Sequence, residues 1–452
     1  MNGQDGAFAE VTTAMQDVRI VSDGKAKIKV VDQPASSTSS TSSLSNRLAP
    51  TSTRQQKVLR SFDVAREAGP AENPIQFPQP VYECGIRAKV LCYDQRSQRH
   101  FSAHDVLFRD YSREHGDDRA LQKVERAYWA VPHKEPIDTI MGHVNICRVL
   151  KRCCREDDDT SDSEDEIEED IVFQLTNDLV AIKVNYCDRM ERLRKKHAED
   201  PLNEIAAMQL IGNGHPNILG CIEVLFDGTN LNVVMPYCGS GDLFHFLQET
   251  QKLNSSTLGL PEPEARFLFR QLMAGLRHLH RAKGICHRDI SPENIMMDGN
   301  KCLIIDMGMC LRIPYTDPNG DQVTDITRGT RKRLLKPQGI CGKLPYMSPE
   351  IYKNRDDFDG EAVDVWTAGT ILFCMLTGNR SYLIPHKADP QFYWMTHGLR
   401  ELMNDWGVHP SNEALDLLRN MLQIDPRLRL TIDEVEKHAW FTQSEARPPG
   451  YT

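Results

Sequence analysis

The sequence has no surplus of positive charge and no cysteine framework. Its 54 lysine and arginine residues are outnumbered by 64 aspartate and glutamate residues, and the formal net charge is -10. An acidic chain offers no overall basic field to a nucleic acid, so we expect no nucleic-acid partner. The 13 cysteines include no Cys-x-x-Cys pair, and Cys153 and Cys154 are adjacent. This spacing suits neither a disulfide scaffold nor a zinc knuckle, and it predicts reduced thiols.

Leader and membrane-spanning patterns are also missing. Residues 1–5 hold no basic segment followed by an apolar one, which argues against a signal peptide. Asn2 does not fit the myristoylation pattern. The best apolar stretch, Thr367–Leu376, is too short to cross a bilayer and predicts a buried helix. We therefore expect no membrane partner and a cytoplasmic location, with a nuclear one as the alternative.

The first part of the chain divides into two segments. Residues 1–80 include a Ser/Thr tract and a proline-punctuated stretch. Such a composition buries too little apolar surface to offset chain entropy, which predicts disorder. Residues 81–137 hold a weak strand pattern at 86–93 and a helical pattern at 118–129. We expect this second segment to be a small folded extension.

A run of acidic residues occupies positions 156–170. Eleven of these fifteen residues are Asp or Glu. One interpretation is a solvated loop whose like charges repel one another. The other is a regulated site, because Ser161 and Ser163 each have an acidic residue three positions later, as acidophilic kinases prefer.

In the rest of the chain, strand patterns come first and helical patterns follow. Strands are predicted at 144–150 and 178–184, on either side of the acidic run. Apolar residues recur at helical spacing in four later segments: 264–282, 363–376, 412–422 and 431–439. This order predicts an α+β protein with two lobes.

A series of short motifs runs through residues 138–441. They are Val180-Ala181-Ile182-Lys183, His215-Pro216-Asn217-Ile218, His287-Arg288-Asp289, Asp306-Met307-Gly308, Ser348-Pro349-Glu350, Asp364-Val365-Trp366 and Asp425-Pro426-Arg427-Leu428-Arg429. Their order and spacing resemble the eukaryotic protein kinase family. The resemblance implies a bilobal fold, with a small β-rich N-lobe at 138–234 that contains the acidic insert. A larger helical C-lobe would follow at 239–441, with a tail at 442–452.

The resemblance also implies which residues carry phosphoryl transfer. Lys183 would hold the α- and β-phosphates of ATP, and Glu204 would fix the ammonium of that lysine. Asp289 would accept the proton of the attacking hydroxyl. Asn294 and Asp306 would bind Mg²⁺, which prefers hard oxygen ligands.

A nucleotide site follows from the same resemblance. Adenine would lie against Ala181 and Met296. The linker between the lobes would contribute the Pro236 carbonyl and the Cys238 N–H group, because proline has no N–H to donate. Asp242 matches the acid that contacts the ribose.

Scaffold residues of the family have counterparts as well. Glu350 and Arg429 correspond to a buried ion pair, and Asp364 corresponds to the residue that anchors the catalytic-loop backbone. Met307 replaces a phenylalanine, and its flexible apolar side chain can fill that position. The resemblance therefore implies a braced large lobe and an intact motif around Asp306.

The phosphate-covering loop departs from the family pattern of three glycines. When that pattern is laid on 142–149, Gly142 matches the first glycine, while Val144 and Cys147 replace the other two. Val149 matches the valine that follows, so Gly142 and Val149 are the predicted nucleotide contacts. Glycine lets the backbone approach a phosphate closely, and its loss predicts weaker or differently shaped ATP binding.

The catalytic loop departs from the family at Ser291. Most Ser/Thr kinases have a lysine there, and a threonine at the position of Lys343. The two positions look exchanged, which leads to the hypothesis that Lys343 restores the cation near the γ-phosphate. The alternative is that Lys343 faces solvent or the substrate. Pro292-Glu293-Asn294 favours the Ser/Thr type.

The activation segment, Asp306–Glu350, is long for the family. Members usually pair Arg288 with a phosphorylated residue shortly before Cys341, but Lys336–Ile340 contains no Ser, Thr or Tyr. The upstream acceptors are Thr324, Thr327 and Thr330. Either a longer loop brings one of them to Arg288, or activation needs no phosphate there.

Basic residues at 328 and 331–333 accompany these threonines. Their charge predicts an acidic partner, and the acidic run at 156–170 is one candidate. A contact of that kind would weaken with added salt, since salt screens exposed charges.

Two functions follow from these patterns. The first is an ATP-dependent protein kinase that uses Mg²⁺ and phosphorylates Ser and Thr hydroxyls of protein substrates. The second is a catalytically weak pseudokinase that acts as a scaffold or allosteric regulator, and the depleted glycine pattern favours it. Retention of the catalytic and metal-binding set favours the enzyme: Lys183, Glu204, Asp289, Asn294 and Asp306.

Overall fold

A computed structural model describes residues 69–111, 124–153, 172–193, 200–253, 259–317 and 320–450. All of the described residues belong to one compact unit. Positions 1–68 of the region predicted to be disordered lie outside the described residues, as does the whole acidic run. Within the described ranges every cysteine is a free thiol, as predicted. In that same part of the chain no helix is both long and apolar enough to cross a membrane.

Strands dominate the first part of the described chain and α-helices the second. The strands are β1 (Gly69–Glu72), β2 (Glu83–Asp94), β3 (Arg99–Arg109), β4 (Arg126–Ala130), β5 (Ile137–Asp138), β6 (Gly142–Arg152), β7 (Val172–Tyr186), β8 (Glu223–Phe226), β9 (Asn230–Pro236), β10 (Ile285–Cys286), β11 (Ile295–Asp298), β12 (Lys301–Ile304), β13 (Leu311–Arg312), β14 (Tyr315–Thr316), β15 (Val323–Thr324) and β16 (Arg331–Leu335). The α-helices are α1 (Cys187–Leu193), α2 (Pro201–Ile211), α3 (Leu243–Leu253), α4 (Glu262–Arg277), α5 (Pro349–Lys353), α6 (Gly360–Thr377), α7 (Pro390–His397), α8 (Leu399–Asp405), α9 (Asn412–Met421), α10 (Ile432–Lys437) and α11 (Ala439–Thr442). The predicted α+β class, with a β-rich lobe before a helical one, is confirmed.

The small lobe is built on one eight-stranded sheet. Its order is β4-β3-β2-β8-β9-β7-β6-β5, and further pairings of β4 with β6 and of β2 with β7 close the sheet on itself as a barrel. Successive residues of a strand face opposite sides, and β7 shows this clearly. Val180, Ile182 and Val184 enter an apolar cluster inside the barrel. The residues between them, Ala181 and Lys183, face the other side.

Residues 81–137 contribute strands to this barrel. The helix predicted at 118–129 is wrong where the structure describes it, because Arg126–Ala130 is a strand that pairs with β6. Tyr128 enters the barrel cluster, whereas Ala127 lies in a second apolar cluster with the neighbouring Trp129 packed against it. Neighbouring side chains thus leave the chain on opposite faces, and cross-strand pairing overrides the local helical pattern. Positions 112–123 lie outside the described residues.

A second sheet involves the activation segment. Its order is β1-β16-β14-β15, and β1 runs parallel to β16. Strand β1, Gly69–Glu72, falls inside the region that was predicted to be disordered from 1 to 80. Its composition is poor in apolar residues, so its order depends on the partner strand that the fold supplies.

The large lobe surrounds helix α6. Every residue of this helix is buried, which confirms the buried helix predicted from its apolar run. Asp359 caps the helix by accepting from the N–H groups of Glu361 and Ala362, and Gly378 ends it in the left-handed region. The other predicted helices are found within a few residues of their expected bounds, as α4, α9 and α10.

The predicted ion pair braces this lobe. Arg429 Nη1 and Nη2 lie 2.6 and 3.1 Å from the two carboxylate oxygens of Glu350. The side chain of Arg429 is fully buried, and its guanidinium lies 5.0 Å from the ring centroid of Trp366. Removing either partner would leave a buried charge without its counter-ion.

Candidate active site

Asp364 on α6 anchors the backbone of the loop at 287–294. The Asp364 carboxylate accepts from the backbone N–H groups of His287 and Arg288, each at 2.8 Å. It also lies 2.8 Å from His280 Nε2 in a fully buried position. Arg288 adopts a φ of 66°, an uncommon conformation for a residue other than glycine, and Asp364 holds it there. The predicted anchoring role of Asp364 is therefore seen directly.

The carboxylate of Asp289 is fixed from two sides. Asn294 Nδ2 donates to the Asp289 backbone oxygen at 2.8 Å and to its Oδ2 at 3.2 Å. The backbone N–H of Lys343, on the activation segment, donates to Oδ1 at 3.2 Å. Asp289 is half-buried.

An ion pair joins β7 to α2. Lys183 Nζ lies 2.7 Å from both carboxylate oxygens of Glu204. Asp200 caps α2 by accepting from the Leu202 N–H, which fixes the start of the helix and thus the position of Glu204. Burial raises the pKa of Glu204, the Lys183 ammonium opposes this effect, and the nearby negative charge of Asp306 adds to it. The ammonium therefore sits where the family resemblance places it.

The carboxylate of Asp306 is exposed at the end of the β11–β12 hairpin. Its backbone φ is 65°, and its Oδ1 accepts from the Gly308 N–H at 3.2 Å. The next residue, Met307, is buried in the same apolar core as Met208 of α2. Methionine thus fills the apolar position beside the exposed acid, as predicted.

Asn294 and Asp306 form a donor set that suits Mg²⁺. The Ile305 N–H donates to the Asn294 backbone oxygen at 3.0 Å, which brings the two segments side by side. Because the Asn294 amide nitrogen faces Asp289, its amide oxygen faces away. One carboxylate and one amide oxygen are hard ligands of the kind that Mg²⁺ takes alongside phosphates and water. The described residues contain no group of three or more His, Cys, Asp or Glu side chains placed to hold a metal.

The predicted adenine contacts lie on either side of the linker. Ala181 is half-buried on the same face of β7 as Lys183, and it pairs with Met235 of β9. Pro236 is exposed at the end of β9, and Cys238 is half-buried two residues later. Burial, with a smaller contribution from Asp298, raises the pKa of Cys238 to about 11. Its thiol is therefore protonated at neutral pH.

Met296 and Asp242 adjoin each other on the large-lobe side. Asp242 forms a β-bridge with Met296. The Asp242 carboxylate accepts from the His245 N–H at 2.7 Å at the start of α3. Burial raises the pKa of Asp242, and the neighbouring Glu293 adds to the effect. Asp242 thus orders the chain after the linker, a structural role that the sequence did not indicate.

The glycine pattern was laid on the wrong segment. Positions 142–149 form a strand of the barrel, and Val149 pairs with Tyr128, with both side chains inside the barrel cluster. The assignment of Val149 to the nucleotide site is therefore wrong. Val149 shares the interior face with Cys147, two residues earlier, as the alternation of side chains along a strand requires.

Gly142 is required by strand packing. It is the first residue of β6 and pairs with Asn185 of β7. A Cβ atom added to Gly142 would collide with the Val184 carbonyl oxygen. The structure therefore explains this glycine by close approach of two strands, and no phosphate contact is needed.

The segment Val131–Met141 joins β4 to β6 and lies next to the strand that pairs with Lys183. It folds back as β5, where Ile137 pairs with Val144, the residue that itself pairs with Lys183. Lys134 in this loop places its ammonium 5.7 Å from the ring centroid of Tyr237 in the linker. The loop contains no glycine. Its prolines, at 132 and 136, were the signal that could have located a connection here.

Lys343 reaches the catalytic loop. Its Nζ lies 2.9 Å from Ser291 Oγ and 3.3 Å from Glu293 Oε2. Ser291 is fully buried, whereas the Lys343 side chain is 39% exposed. The exchanged residues are thus in contact, with the serine beneath the ammonium.

Two basic residues of the activation segment have acidic partners close by. Lys332 Nζ lies 2.7 Å from Asp359 Oδ2 and 2.8 Å from Glu361 Oε2 at the start of α6. Arg333 Nη1 lies 2.7 Å from Glu72 Oε1 of β1. An acidic partner was predicted for the four basic residues at 328 and 331–333. At two of them, Lys332 and Arg333, the acids named above supply it. Arg288 Nε donates to the Met309 backbone oxygen at 2.8 Å.

Comparison with known proteins agrees with this geometry. The family model described as "Protein kinase domain" matches residues 170–441. Serine/threonine-protein kinase SRK2J of Arabidopsis thaliana is 30% identical over 280 residues, which cover 60% of this chain and 71% of that protein. Serine/threonine-protein kinase SAPK3 of Oryza sativa subsp. indica is 30% identical over 278 residues, with the same two coverages. Serine/threonine-protein kinase CHK1 of Mycosarcoma maydis is 33% identical over 215 residues, 47% of this chain and 28% of that protein.

Proposed function

Since the chain belongs to the protein kinase family and its relatives are of the serine/threonine type, we propose that it transfers the γ-phosphate of ATP to Ser and Thr hydroxyls of protein substrates. One observation carries the proposal: the groups that phosphoryl transfer needs lie close together. Lys183 is paired with Glu204, on which the charge of Asp306 also acts. The chain beside Asp306 is hydrogen-bonded to Asn294, which in turn holds Asp289. Phosphoryl transfer depends mainly on positioning and charge neutralisation, and these groups supply both.

Asp289 is the proposed proton acceptor. Hydrogen bonds from Asn294 and from the Lys343 N–H hold both carboxylate oxygens in place. A fixed carboxylate can orient a substrate hydroxyl and take its proton as the oxygen attacks. The positions of the two donors support this role for Asp289.

Lys183 would bind the α- and β-phosphates, and Glu204 keeps its ammonium in one place. Asn294 and Asp306 would hold Mg²⁺. When bound, that ion would neutralise phosphate charge during transfer. Ala181 and Met296 would contact the adenine, and the backbone of Pro236 and Cys238 would offer a carbonyl and an N–H group. Asp242 remains the proposed ribose contact, although it also accepts from His245.

Lys343 is the proposed replacement for the missing loop cation. Its ammonium already lies at the catalytic loop, 2.9 Å from Ser291 Oγ. Because its side chain is 39% exposed, the ammonium can also reach a phosphate that enters the cleft. A lysine presents a compact charge with rotatable donors, which suits a transferred phosphoryl group.

The alternative function is a pseudokinase that binds partners without efficient turnover. The loop Val131–Met141 favours it, because a segment without glycine cannot wrap its backbone around phosphates as closely. The matched family region also begins at residue 170, after this loop. The two functions differ in turnover, which makes them separable by experiment.

The deciding experiment measures Mg·ATP turnover and nucleotide binding for wild type and for Asp289→Asn. We expect Asp289→Asn to lower turnover by roughly 100-fold or more, with ATP affinity nearly unchanged, because general-base catalysis contributes on that order. Asp405→Asn, at an exposed position of α8, is the matched control and should behave as wild type. ATP binding without turnover in the wild-type protein would instead establish the pseudokinase.

A further inference from the structure

A segment from the N-terminal part of the chain pairs with the activation segment. Residues 69–77 lie along it, and we name them the strap. Strand β1 of the strap runs parallel to β16, with Gly69 opposite Arg333 and Glu72 opposite Leu335. The Lys336 N–H donates to the Glu72 backbone oxygen at 3.1 Å. Backbone pairing therefore extends the activation-segment sheet by one strand.

A charged contact adds specificity to this pairing. Arg333 Nη1 lies 2.7 Å from Glu72 Oε1, and the Arg333 side chain is only 5% exposed. A guanidinium at that depth requires an anionic partner, because burial of an isolated charge is costly. Asp321 also approaches Arg333, at 3.8 Å, but its side chain is fully exposed and contributes little. Glu72 is thus the main counter-ion.

The strap has a second point of attachment. The Ile75 N–H donates to the Arg312 backbone oxygen at 3.2 Å, and Arg312 Nη1 donates to the Gln76 backbone oxygen at 2.7 Å. Phe77 then packs against the main hydrophobic core. The surface accordingly fits an extended peptide in which an acidic residue is followed by apolar ones.

The opposite side of β16 is tied to the large lobe. Lys332 is paired with Asp359 and Glu361 at the start of α6. Leu335 and Phe358 exchange backbone hydrogen bonds of 2.8 and 2.9 Å. Strand β16 is therefore held by β14 and by residues 358–361 on one side and by the strap on the other, and only the strap comes from outside the kinase fold.

We propose that the strap is an intramolecular docking segment that orders the activation segment without a phosphorylated residue shortly before Cys341. Lys336–Ile340 contains no hydroxyl side chain, and Arg288 donates its Nε to the Met309 backbone oxygen. Strap, β16 and α6 supply the bracing that a phosphate otherwise provides. The consequence for activity rests on the proposed function, whereas the ordering of the segment does not.

The test measures hydrogen exchange at the amides of 331–336 in the full chain after phosphatase treatment. Glu72→Lys places a cation against Arg333, and we expect exchange there to accelerate by about tenfold, which corresponds to about 1.4 kcal/mol. Asp321→Lys is the matched control, because it reverses the charge of the exposed neighbour, and its exchange should equal that of wild type. Exchange in Glu72→Lys equal to wild type overturns the proposal.

A second variant guards against a general folding defect. Ile75→Pro removes the N–H that donates to Arg312 and leaves the charges unchanged. It should also accelerate exchange at 331–336, while amides of α6 keep wild-type protection. Loss of protection in α6 as well would mean global unfolding, and it would overturn the local role of the strap.

Turnover of the same phosphatase-treated proteins tests the consequence for activity. We expect Glu72→Lys and Ile75→Pro to lower turnover by about tenfold, in parallel with exchange. Faster exchange with unchanged turnover would overturn the regulatory part. If wild type has no turnover, the proposed function fails, and the exchange measurement still decides whether the strap orders the segment.

Discussion

Ser291 and Lys343 depart from the family pattern as a pair, and their side chains are in contact. In the family pattern a lysine of the catalytic loop supplies a cation. Here Lys343 of the activation segment places its Nζ 2.9 Å from Ser291 Oγ. Glu293, 3.3 Å away, keeps the ammonium near the loop. The cation at the site therefore depends on the position of the activation segment.

Lys343→Met tests this exchange. If the ammonium stabilises the transferred phosphate, turnover should fall by about 100-fold, because loss of one charged donor at a transition state costs on that order. The KM for ATP should change by less than about twofold, since the interaction is made mainly in the transition state. Steady-state kinetics with varied ATP separates the two parameters.

Lys353→Met supplies the control, since Lys353 is exposed on α5 and its loss should leave both parameters unchanged. An unaltered rate in Lys343→Met would mean that its ammonium faces solvent or substrate instead. A raised KM with unchanged kcat would mean that it contributes uniform binding only.

Predictions for individual residues from the sequence differed in their outcome. Lys183 and Asp289 could be singled out because each belongs to a short motif. Glu204 was assigned as the partner of Lys183 from its place on the following helix, and the structure pairs the two. Val149 was misplaced because the glycine pattern was laid on residues that form strand β6, paired with β4 and β7. The hydrogen bond from the His245 N–H to Asp242 was missed, since a cap is visible only once the helix start is known.

At the scale of elements, β6 and β7 carry the small-lobe half of the site. Their register sets Val144 opposite Lys183 and Gly142 opposite Asn185. The close approach at Gly142 leaves no room for a side chain. Strand pairing, and not phosphate binding, therefore accounts for the one glycine that matched the family pattern.

Gly142→Ala should consequently destabilise the fold. The added methyl group would force β6 and β7 apart, and overpacking of this kind costs about 1–3 kcal/mol. We expect denaturant unfolding to show a loss in that range. Gly214→Ala is the control, because a Cβ atom there meets nothing within 4 Å. Equal stability of the two variants would contradict the packing explanation.

The elements also show why β4 escaped prediction. Its sequence carries apolar residues at helical spacing, but Ala127 and Tyr128 face two different apolar clusters. Only pairing with β6 gives such a strand its stability. Strand β1 is a comparable case, because its partner β16 lies more than 250 residues later, as the Glu72–Arg333 separation of 261 shows.

At the scale of the whole molecule, two histidines mark the contact between the lobes. His215 follows α2, and His278 follows α4. Their rings stack with centroids 4.8 Å apart. Burial lowers the pKa of both, and for His278 the neighbouring His215 and Lys283 lower it further. Both imidazoles are therefore neutral in the folded protein at neutral pH.

This arrangement predicts acid sensitivity of the whole fold. With the pKa values lowered in the folded state, the unfolded chain binds more protons as the pH falls below the ordinary histidine pKa of about 6.5. The stability present above that pH is therefore lost on acidification through the lowered pKa values. We expect the free energy of unfolding to decrease from about pH 6.5 downward, measured by denaturant titration at several pH values.

His278→Gln should reduce the steepness of that decrease, because one of the protonating groups is gone. His104→Gln, at an exposed position of β3, should leave the pH dependence as in wild type. A His278→Gln curve parallel to that of wild type would rule out this pair as a source of the effect. The free energy of unfolding of His278→Gln should still decrease with acidification, because burial also lowers the pKa of His287.

The sequence by itself determined the family and the fold class of this protein. Kinase motifs, their order and the two-lobed α+β class could be read directly, because catalysis and core burial require particular residue types at short, fixed spacings. Even the exchange of Ser291 and Lys343 was visible as a departure from a pattern, although their contact was not.

Only the tertiary structure decided how distant segments combine. It joined β2, β3 and β4 to the kinase strands in one barrel, and it laid β1 along the activation segment. It also assigned Glu72, Asp359 and Glu361 as partners of the basic residues. Such pairings depend on which strand edges and buried charges meet in space. The spacing of residues within a short segment does not indicate these pairings, so only the folded structure shows them.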